Sequence, residues 1–257
     1  MLTAASAAAV EAVAGCDRAG SSGPRRYAGR LTTTHWAEAD GQRPRWLLAA
    51  PRDGTPAGLV VALHGHGGTA QSSFEGGLEL QDHVEATGLA VVAVDGGDGY
   101  WHARSDGSDS GAMVTDDLLP MALRTVGLHA GTPVALLGWS MGGFGALWLA
   151  TRLGRARVRA VVAESAAVWL TPGETPAGAF DDREDYLRVT VFNHLPALSA
   201  LPVRLDCGTS DPFLAANRRL AAALPHAKAT FDNGGHTTSY WRGHAAAQLA
   251  WVRQQGR

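Results

Sequence analysis

Short apolar runs rich in β-branched residues recur along this chain, and longer stretches of helical spacing separate them. The runs 45–50, 58–63, 89–95, 134–138, 158–163 and 202–206 read as strands, most of them apolar on both faces. A strand apolar on both faces must be covered on both, as parallel strands are when they lie between two helix layers. The stretches 71–86, 113–126, 141–153, 212–224 and 244–252 carry the helical spacing. Repeated β-α alternation predicts an α/β fold: a mostly parallel sheet with helices on both faces. Ligands of such sheets sit beyond the carboxyl ends of the strands, so chemically capable residues belong just after the strand runs.

The 257 residues suit one large domain. With 46% apolar and 18% charged residues, the chain is too hydrophobic for disorder. A formal net charge of −2 and the lack of a Lys/Arg block argue against nucleic acid as a partner. Cys16 and Cys207 are too few for a disulfide framework and form no C-x-x-C pair, so no metal site is expected. No apolar run reaches the roughly 18 residues of a transmembrane span.

Residues 1–26 read as a flexible N-terminal segment, with the catalytic domain spanning 27–257. Val13-Ala14-Gly15-Cys16 resembles the lipobox at which bacterial lipoproteins are cut, and a polar, Gly/Ser/Arg-rich tether follows it. An export signal wants a basic start, however, and no Lys or Arg precedes Arg18. The stretch reads equally as an alanine-rich frayed helix or as the remnant of a longer signal. Export or lipid anchoring and retention in the cytoplasm therefore stand level.

The sharpest motif is Gly138-Trp139-Ser140-Met141-Gly142. Among 32 glycines a G-x-S-x-G match alone says little, but this one follows an apolar strand run and opens a helix. That is the setting of a nucleophile elbow, in which glycines permit a tight turn and the serine hydroxyl stands clear of the sheet. The bland alternative is a Gly-rich strand-to-helix turn with an incidental serine. A second motif, His64-Gly65-His66-Gly67-Gly68, follows run 58–63 directly. The amides of His66 and Met141 would make a two-donor oxyanion hole. His64 is read as a loop-packing residue, since no third ligand accompanies the two histidines.

A serine needs a base, and the base needs an acid. His236, in Gly234-Gly235-His236-Thr237, follows the strand-like run 228–231 and precedes the terminal helix. For the acid there are two claims. Asp211 follows run 202–206, although an Asp before Pro212 is also a common helix cap. Glu164 directly follows run 158–163.

With these residues placed, stretch 58–245 resembles the esterase branch of the α/β-hydrolase family, which includes S-formylglutathione hydrolase (esterase D) and the secreted mycolyltransferases. The carriers are Gly138-Trp-Ser-Met-Gly-Gly-Phe-Gly-Ala-Leu147, Asp206-Cys-Gly-Thr-Ser-Asp-Pro-Phe213, Gly235-His-Thr-Thr-Ser-Tyr-Trp241 and Val114-Thr-Asp-Asp-Leu-Leu-Pro120. The resemblance implies an α/β-hydrolase fold with a short cap insertion and a triad of Ser140, Asp211 and His236. It implies a serine ester hydrolase working through an acyl-enzyme, with a small-molecule ester as substrate and no cofactor. An acyltransferase with the same triad, and a catalytically silent binding protein, are the rival expectations. Insertion 166–200 is expected to cover the site in part, with Trp169, Phe180, Tyr186 and Phe192 as pocket candidates. Trp101 and His102 are the candidates from the opposite rim.

Overall fold

The computed structural model describes residues 23–255. The expected flexible segment and its lipobox-like Cys16 lie almost wholly outside the described residues. Among the described residues, eight strands form one sheet in the order β1-β2-β4-β3-β5-β6-β7-β8. They are β1 (Arg25–Arg30), β2 (Arg45–Ala50), β3 (Leu59–Leu63), β4 (Ala90–Val94), β5 (Val134–Trp139), β6 (Val158–Glu164), β7 (Val203–Gly208) and β8 (Lys228–Asp232). β1 and β2 are antiparallel to their neighbours, and every pairing from β4 through β8 is parallel.

β3, β4 and β5 are buried at every position, as continuous apolar runs between two layers must be. Side chains alternate across each strand and feed two apolar cores, one on each face of the sheet. One core gathers Leu63, Met113, Phe144, Trp101 and Trp169. The other packs Phe74, Leu78 and Trp139 against Trp241 and Leu249 of the terminal helix Thr238–Gln254. None of the described helices is long and apolar enough to cross a membrane.

Three local expectations need correction. The sheet begins at Arg25, two residues before the expected start of the domain, because edge strand β1 alternates between half-buried and exposed and carries no apolar run. Stretch 71–86 is not one helix: it is two single 3-10 turns, Ala70–Ser73 and Leu80–His83, and a four-residue helix, Val84–Thr87. Gly76 and Glu79 both take positive φ there, and a Cβ at Gly77 would lie 1.9 Å from the Ser72 carbonyl oxygen, so helical geometry cannot run through. The terminal helix starts at Thr238, six residues earlier than expected, where the Thr237 hydroxyl caps it by accepting from the Tyr240 amide.

Candidate active site

β5 delivers the serine. Ser140 sits between β5 and the helix Met141–Leu153 with φ 54° and ψ −122°, a region that non-glycine residues avoid. Two backbone bonds hold it there: its amide donates to the Glu164 carbonyl at 3.0 Å, and its carbonyl accepts from the Ala167 amide at 2.9 Å. A Cβ on Gly142 would stand 1.9 Å from the Leu63 carbonyl oxygen, so only glycine lets the new helix pass this close to β3. The turn thus spends backbone strain to set the hydroxyl beyond the strand end.

The segments after β7 and β8 bring the partners. His236 Nε2 lies 2.9 Å from Ser140 Oγ, and His236 Nδ1 lies 2.9 Å from Asp211 Oδ2. With its proton on Nδ1, the ring donates to Asp211 and keeps Nε2 free to accept from the serine. The Asp211 side chain has no solvent exposure, and its other oxygen accepts from the Phe213 amide at 2.8 Å. Burial alone would raise this carboxyl, but the hydrogen bonds from His236 and Phe213 outweigh it and hold Asp211 below its ordinary value. Phe213 and Trp241 pack against the imidazole from two sides, with centroid separations of 5.3 and 4.9 Å.

Glu164, the competing acid, faces elsewhere. Its carboxyl is buried against the terminal helix, 3.1 Å from Nδ1 of His244 and not beside His236. Burial pushes it up to about 7, while the same contact raises the His244 imidazole to about 9, so the pair holds a proton tightly.

The loop after β3 lies over the serine. A methyl on Gly65 would crowd the Trp139 indole at 3.1 Å and the Ser140 Cβ at 3.3 Å. The Gly67 amide is taken by Asp98 Oδ1 at 2.6 Å, while the His66 amide has no acceptor among the described residues. The Met141 amide, at the first turn of its helix, has none either. His64 is structural. It is buried, its Nε2 accepts from the Gly96 amide at 3.0 Å, and its Nδ1 pairs with the Gly65 carbonyl at 2.8 Å. Burial lowers its pKa, which keeps the ring neutral in that role.

Ser140 and His236 open into a cleft of about 640 Å³, walled by the glycine-rich stretch 65–78 on one side and by Thr238 and Trp241 on the other. Among the described residues no lysine or arginine lines it. The pocket residues expected from the sequence are not among its walls. Trp101 is fully buried beneath the elbow, wedged between Gly96 and Gly145, where an added Cβ would meet its ring at 2.2 and 2.4 Å. His102 is also buried and stacks on Phe180 at 5.5 Å. Trp169 and Phe180 pack with Tyr100 and Tyr186, so insertion 166–200 fills its own aromatic core and contributes no wall of the cleft. Among the described residues no group of three His, Cys, Asp or Glu side chains is arranged to hold a metal ion.

Three contributors escaped sequence reasoning. Asp98 anchors the loop after β3 by accepting from the Gly67 amide, but nothing in its local sequence marks it. Trp241 packs on the His236 imidazole, and Ser165 accepts from its indole N–H. A signal existed for both: Trp241 ends the histidine motif, and Ser165 follows a strand that neighbours β5.

The fold and site define an α/β hydrolase with a serine at the elbow. The chain matches the family described as "Putative esterase" over residues 48–252, and it belongs to that family of carboxylic ester hydrolases. No curated protein matches it significantly. Solved structures share its fold at low identity. Serine hydrolase FphF of Staphylococcus aureus superimposes with a TM-score of 0.77 at 14% identity, covering 90% of this chain and 99% of its own. An S-formylglutathione hydrolase from Agrobacterium tumefaciens gives 0.73 at 18%, covering 91% and 96%. A ferulic acid esterase gives 0.71 at 19%, covering 90% and 98%.

Proposed function

We propose that this esterase works through a Ser140–His236–Asp211 triad and a covalent acyl-enzyme. The observation that carries the reading is the unbroken chain of two 2.9 Å contacts from Ser140 Oγ through His236 to a fully buried carboxylate, with its serine end in an open cleft. His236 Nε2 takes the hydroxyl proton as Oγ attacks the ester carbonyl. Negative charge develops on the carbonyl oxygen, where the unoccupied His66 and Met141 amides and the helix N-terminus favour it. The imidazolium, steadied by Asp211, returns its proton to the departing alcohol as the carbon–oxygen bond breaks. Water, deprotonated by the same imidazole, then releases the acid.

The cleft also bears on substrate. Its walls combine backbone, hydroxyl, amide, imidazole and indole groups with the Glu75 carboxylate and, among the described residues, no Lys or Arg, so it favours esters with a neutral alcohol over those bearing carboxylates or phosphates. The test is fluorophosphonate labelling with identification of the modified residue, combined with turnover of paired nitrophenyl esters, neutral and anionic. Labelling at Ser140 and a preference for neutral esters are expected. Labelling elsewhere, or none, overturns the triad. A preference for anionic esters overturns the reading of the cleft.

A further inference from the structure

The segment made of the end of β6 and the turn after it, residues 164–167, holds Ser140 directly and reaches His236 through Trp241, although none of its members belongs to the proposed triad. Its backbone straps Ser140 on both sides, through the Glu164 carbonyl and the Ala167 amide. Its fold-back is made by Ser165, which is fully buried and takes φ 46°, a left-handed conformation uncommon for serine. Glycine would suit that backbone better, so the side chain has a competing reason to be there.

The hydroxyl supplies that reason. Ser165 Oγ accepts from Trp241 Nε1 at 3.0 Å, in a bond buried at both ends. Trp241 is the indole whose edge-to-face contact at 4.9 Å braces the His236 imidazole. The bond holds the indole where it packs on the imidazole, and leaving a buried N–H unpaired costs the full desolvation of that group. Asp211 Oδ2 faces His236 and Oδ1 faces Phe213, so the imidazole is tied through Nδ1 on one side and braced by the indole on another.

Resting on the triad proposed above, we infer that Ser165 is a positioning residue. Its hydroxyl anchors the Trp241 indole and so fixes the His236 imidazole against Ser140, whose backbone the same segment holds. It touches no reacting atom. Its effect is on the orientation of the base, hence on turnover and not on ester binding.

Two variants separate the hydroxyl from the backbone. Ser165→Ala removes the hydroxyl and keeps the strained φ, whereas Ser165→Gly removes the hydroxyl and relieves the strain. Both are expected to lower kcat about ten-fold on a nitrophenyl ester, the effect of leaving the buried indole N–H unpaired, with KM within about two-fold. The low-field proton resonance of the His236 Nδ1–H bond, identified by its loss in Asp211→Asn, should shift or broaden in both variants. Wild-type kcat and an unmoved resonance in either folded variant would overturn the assignment. Loss confined to Ser165→Ala, with full rescue in Ser165→Gly, would also overturn it, because the residue would then matter only to the backbone. The resonance does not depend on turnover. If wild-type enzyme hydrolyses no ester yet the resonance responds to Ser165, the triad function fails while the positioning stands.

Discussion

Replacing Asp211 by Asn changes one atom of the proposed triad and leaves its shape, so the cost can be worked from the contacts. Oδ1 of Asp211 accepts from the Phe213 amide at 2.8 Å, a bond that only an oxygen can keep. Turning the new amide the other way would set two N–H donors against each other in a buried site, a penalty of roughly 1–3 kcal/mol. The asparagine oxygen therefore stays on Phe213, and its NH2 faces His236 Nδ1 in place of Oδ2. Facing a donor, Nδ1 must accept, so the ring proton moves to Nε2 and points at Ser140 Oγ. The serine then has no base, and the imidazolium has lost its counter-charge. In a serine protease the same change cost about 10⁴-fold in kcat, which corresponds to about 5 kcal/mol of transition-state stabilisation. The assay is kcat on a nitrophenyl ester, with circular dichroism to show that the retained turn keeps the fold. Glu164→Gln is the control, expected to stay within a few-fold of wild type because Glu164 faces His244. Asp211→Asn retaining a tenth or more of wild-type kcat, or Glu164→Gln losing several orders of magnitude, would refute the reasoning.

Ser140→Ala should abolish both ester turnover and fluorophosphonate labelling with the melting temperature held or raised, since the variant keeps the same backbone; full labelling would place the nucleophile elsewhere. The Glu164–His244 pair predicts stability that declines with rising pH. Both groups have folded-state values raised above their ordinary 4.5 and 6.5, to about 7 and about 9, so their contribution is complete at low pH and is lost as pH rises through those values. The melting temperature should fall between pH 5 and pH 9, and less steeply in Glu164→Gln; an identical slope in both would remove the pair as the cause. Gly145→Ala would place a methyl 2.4 Å from the Trp101 ring. Overpacking of about 1–3 kcal/mol should lower the melting temperature by about 2–12 °C in a domain of this size, and an unchanged value would show that Trp101 has room to yield. Because the proposed chemistry asks nothing of a metal, turnover should persist in EDTA; loss restored by zinc would contradict it.

Much of the sheet was legible because parallel strands buried on both faces leave continuous apolar runs: β3, β4 and β5 do so throughout, and β6 and β7 keep apolar stretches around Arg159, Arg204 and Asp206. The candidate catalytic residues were legible for a related reason: each stands just past a strand end, where the topology collects ligand-facing groups. β1 was not, because an edge strand with one face half exposed reads as Arg-Arg-Tyr-Ala-Gly-Arg and has no apolar period. Stretch 71–86 carried helical spacing, but the glycine pair Gly76-Gly77 overrode it through contacts made at a distance from the pattern. The pocket residues failed for a different cause. An aromatic side chain in a loop can line a cleft or fill a core, and only the glycines it meets decide between them. Trp101 fills the space left by Gly96 and Gly145, which are 5 and 44 positions away in the chain, so no local window reveals the fit.

The pairing register described for β5 to β8 acts as a ruler for the chemistry. Trp139 lies opposite Glu164, Glu164 opposite Asp206, and Gly208 opposite Asp232, which levels the rims from which the serine, the aspartate and the histidine project. A strand advances about 3.3 Å per residue, more than the whole length of either 2.9 Å contact in the triad. A slip of a single residue between neighbouring strands would therefore part the proposed catalytic groups outright and turn apolar faces toward water at the same time. On the proposed mechanism, active sites counted by a covalent probe would count correctly aligned sheets. A titration of Ser140 would then measure native register, sensitive to misalignments that leave secondary-structure content unchanged.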